Sequence, residues 1–177
     1  AQRLNGLSGG LSTADDHEVF CHRVLYSRTN VQILTAGRRP MVSAIRLEKF
    51  GGPEVLEYRE VEVGSPGPHE ARIRHRAVGL NFIDVYYRTG LYPVPLPSGL
   101  GGEGAGVVVE VGSAVTSVRP GDRVAYTASG TLGAYAEERL IDARVLVKLP
   151  DAISDNTAAA MMLKGLTAWY LLKRSYR

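Results

Sequence analysis

The run GLGGEGAGVVVEV at 99–111 constrains this chain most, because a glycine-rich stretch leads directly into four valines within five residues. Gly99, Gly101 and Gly104 fall on the G-x-G-x-x-G spacing that cradles dinucleotide phosphates. That loop works only where a strand feeds it and a helix opens behind it, so that the pyrophosphate meets the free N–H groups of the helix N-terminus. β-Branched valines are stiff at χ1 and favour strands, so 107–111 is predicted to be a buried strand. The glycines therefore sit at a strand entry and do not form a phosphate loop.

The surrounding grammar is also that of β structure. MVSAIRLEKFGGPEVLEYREVEV at 41–63 gives two alternating runs about the turn Gly51-Gly52-Pro53, and further turn clusters stand at 64–70, 93–102, 119–122 and 129–134. Many short strands at this spacing predict a small barrel or sandwich over 41–150. In RPGD, Pro120 presets φ at the first central position of a β-turn and Gly121 supplies the positive φ that a type II turn needs at the second. ARIRHRAV places Arg72, Arg74 and Arg76 on one strand face and Ile73, His75 and Ala77 on the other. A solvated outer face is the expectation for those arginines, with His75 a partly buried structural residue.

Over 151–177 the pattern changes to a helix capped by Ser154 or Asp155, interrupted at Gly165 and followed by a second amphipathic piece from Leu166 to Lys173. Residues 1–40 show no sustained period of 2 or 3.6, begin with Ala and precede Met41, the expected true start. Asp15, Asp16 and Glu18 argue against a transit peptide, so a disordered extension unrelated to the rest is expected there.

Composition narrows the function classes. No window reaches the roughly 18 consecutive apolar residues of a membrane-spanning helix, and a net charge of +3 is too modest for a dedicated nucleic-acid binder. Cys21 is the only cysteine, which excludes an internal disulfide and makes the cytoplasm the expected compartment. His17, His22, His69 and His75 do not form a ligand set with it, so no metal is expected.

Five segments, GGPEVLEY at 51–58, AVGLNFIDVYYRTGLYP at 77–93, LPSGLGGEGAGVVVEVGSAV at 96–115, VRPGDRVAY at 118–126 and MLKGLTAWYLL at 162–172, follow one another in a familiar order and spacing. Together they resemble the N-terminal half of bacterial NADPH:quinone oxidoreductases, the zeta-crystallin-like branch of the medium-chain dehydrogenase/reductase superfamily. The resemblance covers 41–177 and implies a mainly β, GroES-like catalytic barrel over 41–150. The helices of 151–177 would then begin the junction to a Rossmann domain that the chain does not reach. Where the zinc enzymes of the superfamily read G-H-E, this sequence has Gly102 followed by Glu103, so the branch implied is zinc-independent.

The resemblance also implies the chemistry: hydride from NADPH to a quinone or other conjugated carbonyl, in a protein that is a homodimer when complete. Without a Lewis acid, hydrogen-bond donors must stabilise the oxygen on which charge builds. NFIDVYYRTGLY offers Tyr86 and Tyr92 as the catalytic candidates and Asn81 as a cofactor contact, with Asp84 able to order the loop. Tyr87 would point to the opposite face if the segment were a strand. MLKGLTAWY offers Lys164, Thr167 and Tyr170 as cofactor contacts, against the plainer reading of a solvated Lys164 with Trp169 and Tyr170 packed. A fragment lacking the phosphate-binding turn is expected to be nearly inactive. The alternatives are a zinc-independent enoyl or alkenal reductase fragment and a non-enzymatic GroES-like binding module.

Overall fold

The computed structural model describes residues 41–127 and 132–176. The extension expected over 1–40, with Cys21, His17 and His22, lies outside the described residues, as does part of the turn at 129–134.

Among the described residues the β structure forms two antiparallel sheets. Strands β1 (Met41–Leu47), β2 (Leu56–Glu62) and β4 (Ser98–Gly99) form one, in the order β2-β1-β4. The other runs β7-β3-β5-β6-β8, from β3 (Glu70–Gly79), β5 (Glu103–Val111), β6 (Arg123–Thr127), β7 (Glu138–Asp142) and β8 (Val147–Lys148). The chain at 134–137 stitches them together. Ile45 N–H donates to Tyr135 O at 2.7 Å and Glu137 N–H to Ser43 O at 2.9 Å, while His75 N–H donates to Glu137 O at 2.8 Å. The valine run expected as a strand is the second half of β5, and the RPGD turn closes with Asp122 N–H on Arg119 O at 3.1 Å and Gly121 at φ +91°.

Alternation along β3 is as the sequence predicts: Ile73, His75 and Ala77 are buried. On the arginine face Arg74 and Arg76 are exposed as expected and Arg72 is largely covered, and each of the three meets a carboxylate. Arg72 pairs with Glu110 at 3.0 Å, Arg74 with Glu138 at 2.8 Å and Arg76 with Asp155 at 3.5 Å. The core behind β3 gathers Ala71, Ile73, Val108, Val118, Val124, Tyr126 and Ile141.

Helix α1 (Phe82–Thr89) forms in a segment whose Ile, Val and Tyr content also suits a strand. Asn81 sits at its N-cap in extended conformation, its N–H donating to Asp84 Oδ2 at 3.0 Å, and Gly90 ends it in the left-handed region. These end signals outweigh the β-leaning Ile, Val and Tyr between them. Helix α2 (Asp155–Tyr170) is capped by Ser154, whose hydroxyl accepts Thr157 N–H at 3.1 Å. It runs unbroken through Gly165, correcting the expected interruption, since a mid-helix glycine costs only about 1 kcal/mol. A five-residue π-helical turn (Leu171–Ser175) follows.

Alanines set where α2 lies. Ala158 and Ala159 pack on Ala77, Ala105 and Ala125 of the sheet, and at Gly79 any Cβ would collide with Ala159 O and the Glu103 carboxylate. Asp155 in the first turn is gripped by Arg123 at 3.0 Å, which fixes the helix start and places an acid at its positive end.

His75 is not partly but almost wholly buried. Its Nδ1 lies 2.6 Å from Ala136 O and its Nε2 2.9 Å from the Tyr126 hydroxyl. A carbonyl can only accept, so Nδ1 carries the proton and Nε2 accepts from Tyr126. Burial, assisted by nearby Arg139, pushes the imidazole pKa down to about 4, from an ordinary value of 6.5. Between those pH values the unfolded chain binds a proton that the folded chain refuses, so stability falls as pH falls through the window, by up to about 3 kcal/mol. Urea denaturation at about pH 7 and about pH 4.5 should show that His75→Gln removes about 2 kcal/mol of the wild-type loss. An equal loss in both proteins would exclude a buried neutral histidine as its source.

Candidate functional site

Three elements converge at the start of α1. Glu103 opens β5 with no solvent exposure, Asn81 caps α1, and Leu163 and Lys164 sit in the third turn of α2. The Asn81 Nδ2 group donates to Glu103 Oε2 at 2.7 Å, and Leu163 N–H donates to Glu103 Oε1 at 2.7 Å. The Lys164 ammonium donates to Asn81 Oδ1 at 2.7 Å and, more weakly, to Leu80 O at 3.4 Å. Strand, cap and helix are thus tied by one chain of hydrogen bonds.

One turn into α1, Asp84 accepts the Tyr135 hydroxyl at 2.7 Å on the oxygen that also takes Asn81 N–H. Burial first, and then the hydrogen bond and negative charge of Asp84, push the Tyr135 phenol well above its usual range. It stays neutral and donates. Asp84 therefore does order this segment, from inside the helix and against the barrel wall.

A cavity of about 120 Å³ opens beside this network, lined by Asn81, Ile83, Asp84, Tyr87, Gly102, Thr127, Leu132 and Leu163. Its walls are largely apolar, and with roughly 30 Å³ per water it has room for a few waters or the edge of a ring. Gly102 contributes only backbone to it. Among the described residues no three His, Cys, Asp or Glu side chains come together.

The expected site residues divide into three groups. Asn81 and Lys164 are in direct contact. Tyr86 and Tyr92 stack edge-to-face with ring centroids 5.3 Å apart, and Tyr92 N–H donates to Tyr86 O at 3.1 Å. Neither lines the cavity; Tyr87 does, with its ring 6.0 Å from that of Tyr92. On a helix Tyr86 and Tyr87 point about 100° apart, so the strand alternation that set Tyr87 aside does not apply.

Thr167 and Tyr170 lie farther along α2, where the helix runs clear of the sheet. Thr167 Oγ1 donates to Leu163 O at 2.7 Å, and Trp169 and Tyr170 are 51% and 58% exposed, so they are not the packed residues of the plainer reading. The residue that sequence reasoning missed is Glu103, whose only sequence signal is a carboxylate at the entry of the glycine- and valine-rich strand β5. The Asn81-x-x-Asp84 spacing, an N-terminal capping pattern, was the other available signal.

Residues 67–151 match the alcohol dehydrogenase GroES-like domain. Over 137 residues the chain is 59% identical to the quinone oxidoreductase of Pseudomonas aeruginosa, an alignment covering 77% of this chain and 42% of that protein. Over the stretch the two share, the chain is a relative of the quinone oxidoreductases. The quinone oxidoreductase structure from Pseudomonas syringae pv. tomato superposes with a TM-score of 0.75 at 56% identity, covering 77% of this chain and 42% of that one. The Escherichia coli quinone oxidoreductase, solved in complex with NADPH, superposes with a TM-score of 0.74 at 49% identity, over 76% of this chain and 41% of its own. The chain thus spans less than half the length of these quinone oxidoreductases, and the part it spans is the mainly β, GroES-like part.

Tyr135 offers the simplest test of the site's internal geometry. Tyr135→Phe removes a donor from the buried Asp84 carboxylate and should lower unfolding free energy by about 1–3 kcal/mol. Chemical denaturation would read this, and a change below about 0.5 kcal/mol, the size of an ordinary surface substitution, would show that the bond does not carry the segment.

Proposed function

We propose that this chain supplies the barrel half of an NADPH-dependent, zinc-independent quinone reductase, acting in the cytoplasm and homodimeric when complete. The observation that carries the reading is the 59% identity to a quinone oxidoreductase over 137 residues, 77% of the chain. When bound, NADPH supplies the hydride. The chain's own residues fit such a ligand: Lys164 presents an ammonium beside the cavity, its orientation set by Asn81, and Thr167 and Tyr170 continue along the exposed length of the same helix. That is a cation followed by hydroxyls, a donor set suited to phosphate and ribose oxygens.

For the acceptor, the apolar cavity walls suit a flat conjugated carbonyl. We assign Tyr86 and Tyr92 the role of hydrogen-bond donors to its oxygen: their rings are in edge-to-face contact, and Tyr92 in turn touches the ring of the cavity-lining Tyr87, so the pair stands beside the cavity. Zinc-independence rests on Gly102, which has no side chain with which to ligate, and on the dispersal of the described His and acidic residues.

A chimera tests this directly. Residues 41–177 joined to the remainder of the Pseudomonas aeruginosa enzyme should oxidise NADPH when given p-benzoquinone, at a rate unchanged by dialysis against a chelator. Lys164→Ala in the chimera should raise the KM for NADPH about tenfold, the loss of one charge-assisted hydrogen bond, with a smaller effect on kcat. A folded chimera that leaves NADPH unoxidised would sink the proposal, and a chelator-sensitive one would sink its zinc-independence.

A further inference from the structure

The hydrogen-bond chain Leu163–Glu103–Asn81–Lys164 has a directional logic that assigns a role to Glu103. An ionised carboxylate can only accept, a backbone N–H and an ammonium can only donate, and a primary amide does both from opposite ends. Asn81 lies between the acceptor-only Glu103 and the donor-only Lys164, with 2.7 Å contacts on both sides. Its orientation is therefore dictated: the NH2 faces Glu103 and the oxygen faces Lys164. Glu103 is itself immobile, being fully buried, bonded by Leu163 N–H and walled in by Gly79 and Ala159.

We propose that Glu103 is the positioning residue of this site, fixing the Asn81 amide so that its oxygen holds the Lys164 ammonium at the cavity. Glu103 touches neither cofactor nor substrate and acts through Asn81. The same carboxylate bonds α2 at Leu163, adjacent to Lys164, so the backbone that carries the lysine and the amide that holds its tip are referenced to one group. The significance of a held Lys164 for cofactor binding rests on the function proposed above; the positioning itself does not.

The polarity argument makes a reversible prediction. In Glu103→Gln the carboxamide must still accept the fixed Leu163 N–H, so its NH2 faces Asn81. Asn81 then turns its oxygen to Gln, leaving its own NH2 against the ammonium, and Lys164 is released. Adding Asn81→Asp restores every pairing: Gln accepts from Leu163 and donates to Asp, and the second Asp oxygen accepts Lys164.

Mass-spectrometric measurement of Lys164 acetylation by an N-hydroxysuccinimide ester, on the full 177-residue chain, reads the release. Acetylation should be about fivefold faster in E103Q and in N81A, the factor carried by a hydrogen bond of ordinary net strength. It should return to the wild-type rate in E103Q/N81D, while Leu163 amide exchange stays protected in E103Q. A purely structural carboxylate would shift exchange across α2 and give no recovery in the double variant. Wild-type acetylation in folded E103Q, or in N81A should E103Q not fold, would overturn the proposal. NADPH added during labelling separates the two ideas: failure to shield Lys164, with the variant pattern intact, would count against the cofactor contact alone.

Discussion

The buried carboxylate of Glu103 is the constraint on which the rest of the site depends. An acceptor taken out of water must be given donors, and those it receives come from two different elements, the cap of α1 and the third turn of α2. Both helices are thereby located against the same end of β5. The approach is possible only because the lane between sheet and helix is made of alanines and Gly79. A larger residue anywhere in it would lift α2 away and leave the carboxylate unpaired.

Two further polar clusters hold the barrel wall that faces this lane. On one side Tyr135 donates to Asp84, securing the first turn of α1. On the other, His75 links the Ala136 carbonyl to the Tyr126 hydroxyl, with the Arg139 guanidinium 5.5 Å above the Tyr126 ring. Tyr135 and Ala136 are neighbours in the segment that stitches the two sheets. The stitch is therefore tied inward at consecutive residues, by groups kept neutral through burial, and the site is built against a wall with little freedom to shift.

What the sequence made legible was local. Turn residues placed the strand breaks, alternation sorted Arg72, Arg74 and Arg76 from Ile73, His75 and Ala77, and the pair Ser154-Asp155 marked the start of α2, the structure choosing Ser154 as its cap. Misreadings arose where distant groups decide. Gly165 was read as a break because nothing local showed that the helix continues regardless. Tyr87 was set aside on strand geometry because the eight residues of α1 are rich in β-formers and are held helical by their ends. The ion pairs that occupy the arginine face join residues such as Arg76 and Asp155, whose proximity depends on the packing of α2. Of the candidate site, Asn81 and Lys164 were identified through family resemblance, but their mutual contact and its dependence on Glu103 were not.

The glycine-rich stretch at 99–106 has its explanation in the same packing. Gly101 takes φ +84°, and a Cβ there would strike the Tyr135 ring, so it lets the chain turn beneath the residue that secures Asp84. Its carbonyl accepts the N–H groups of Gly133 and Ala134 at 2.9 and 3.0 Å, joining this turn to the start of the stitching segment. Two residues later the chain delivers Glu103 into the lane beneath α2. The spacing that mimics a phosphate cradle is thus set by a close backbone turn and a buried acid. A phosphate loop must present unpaired N–H groups outward to an anion; this stretch instead brings an anion of its own inward and supplies it with donors from two helices.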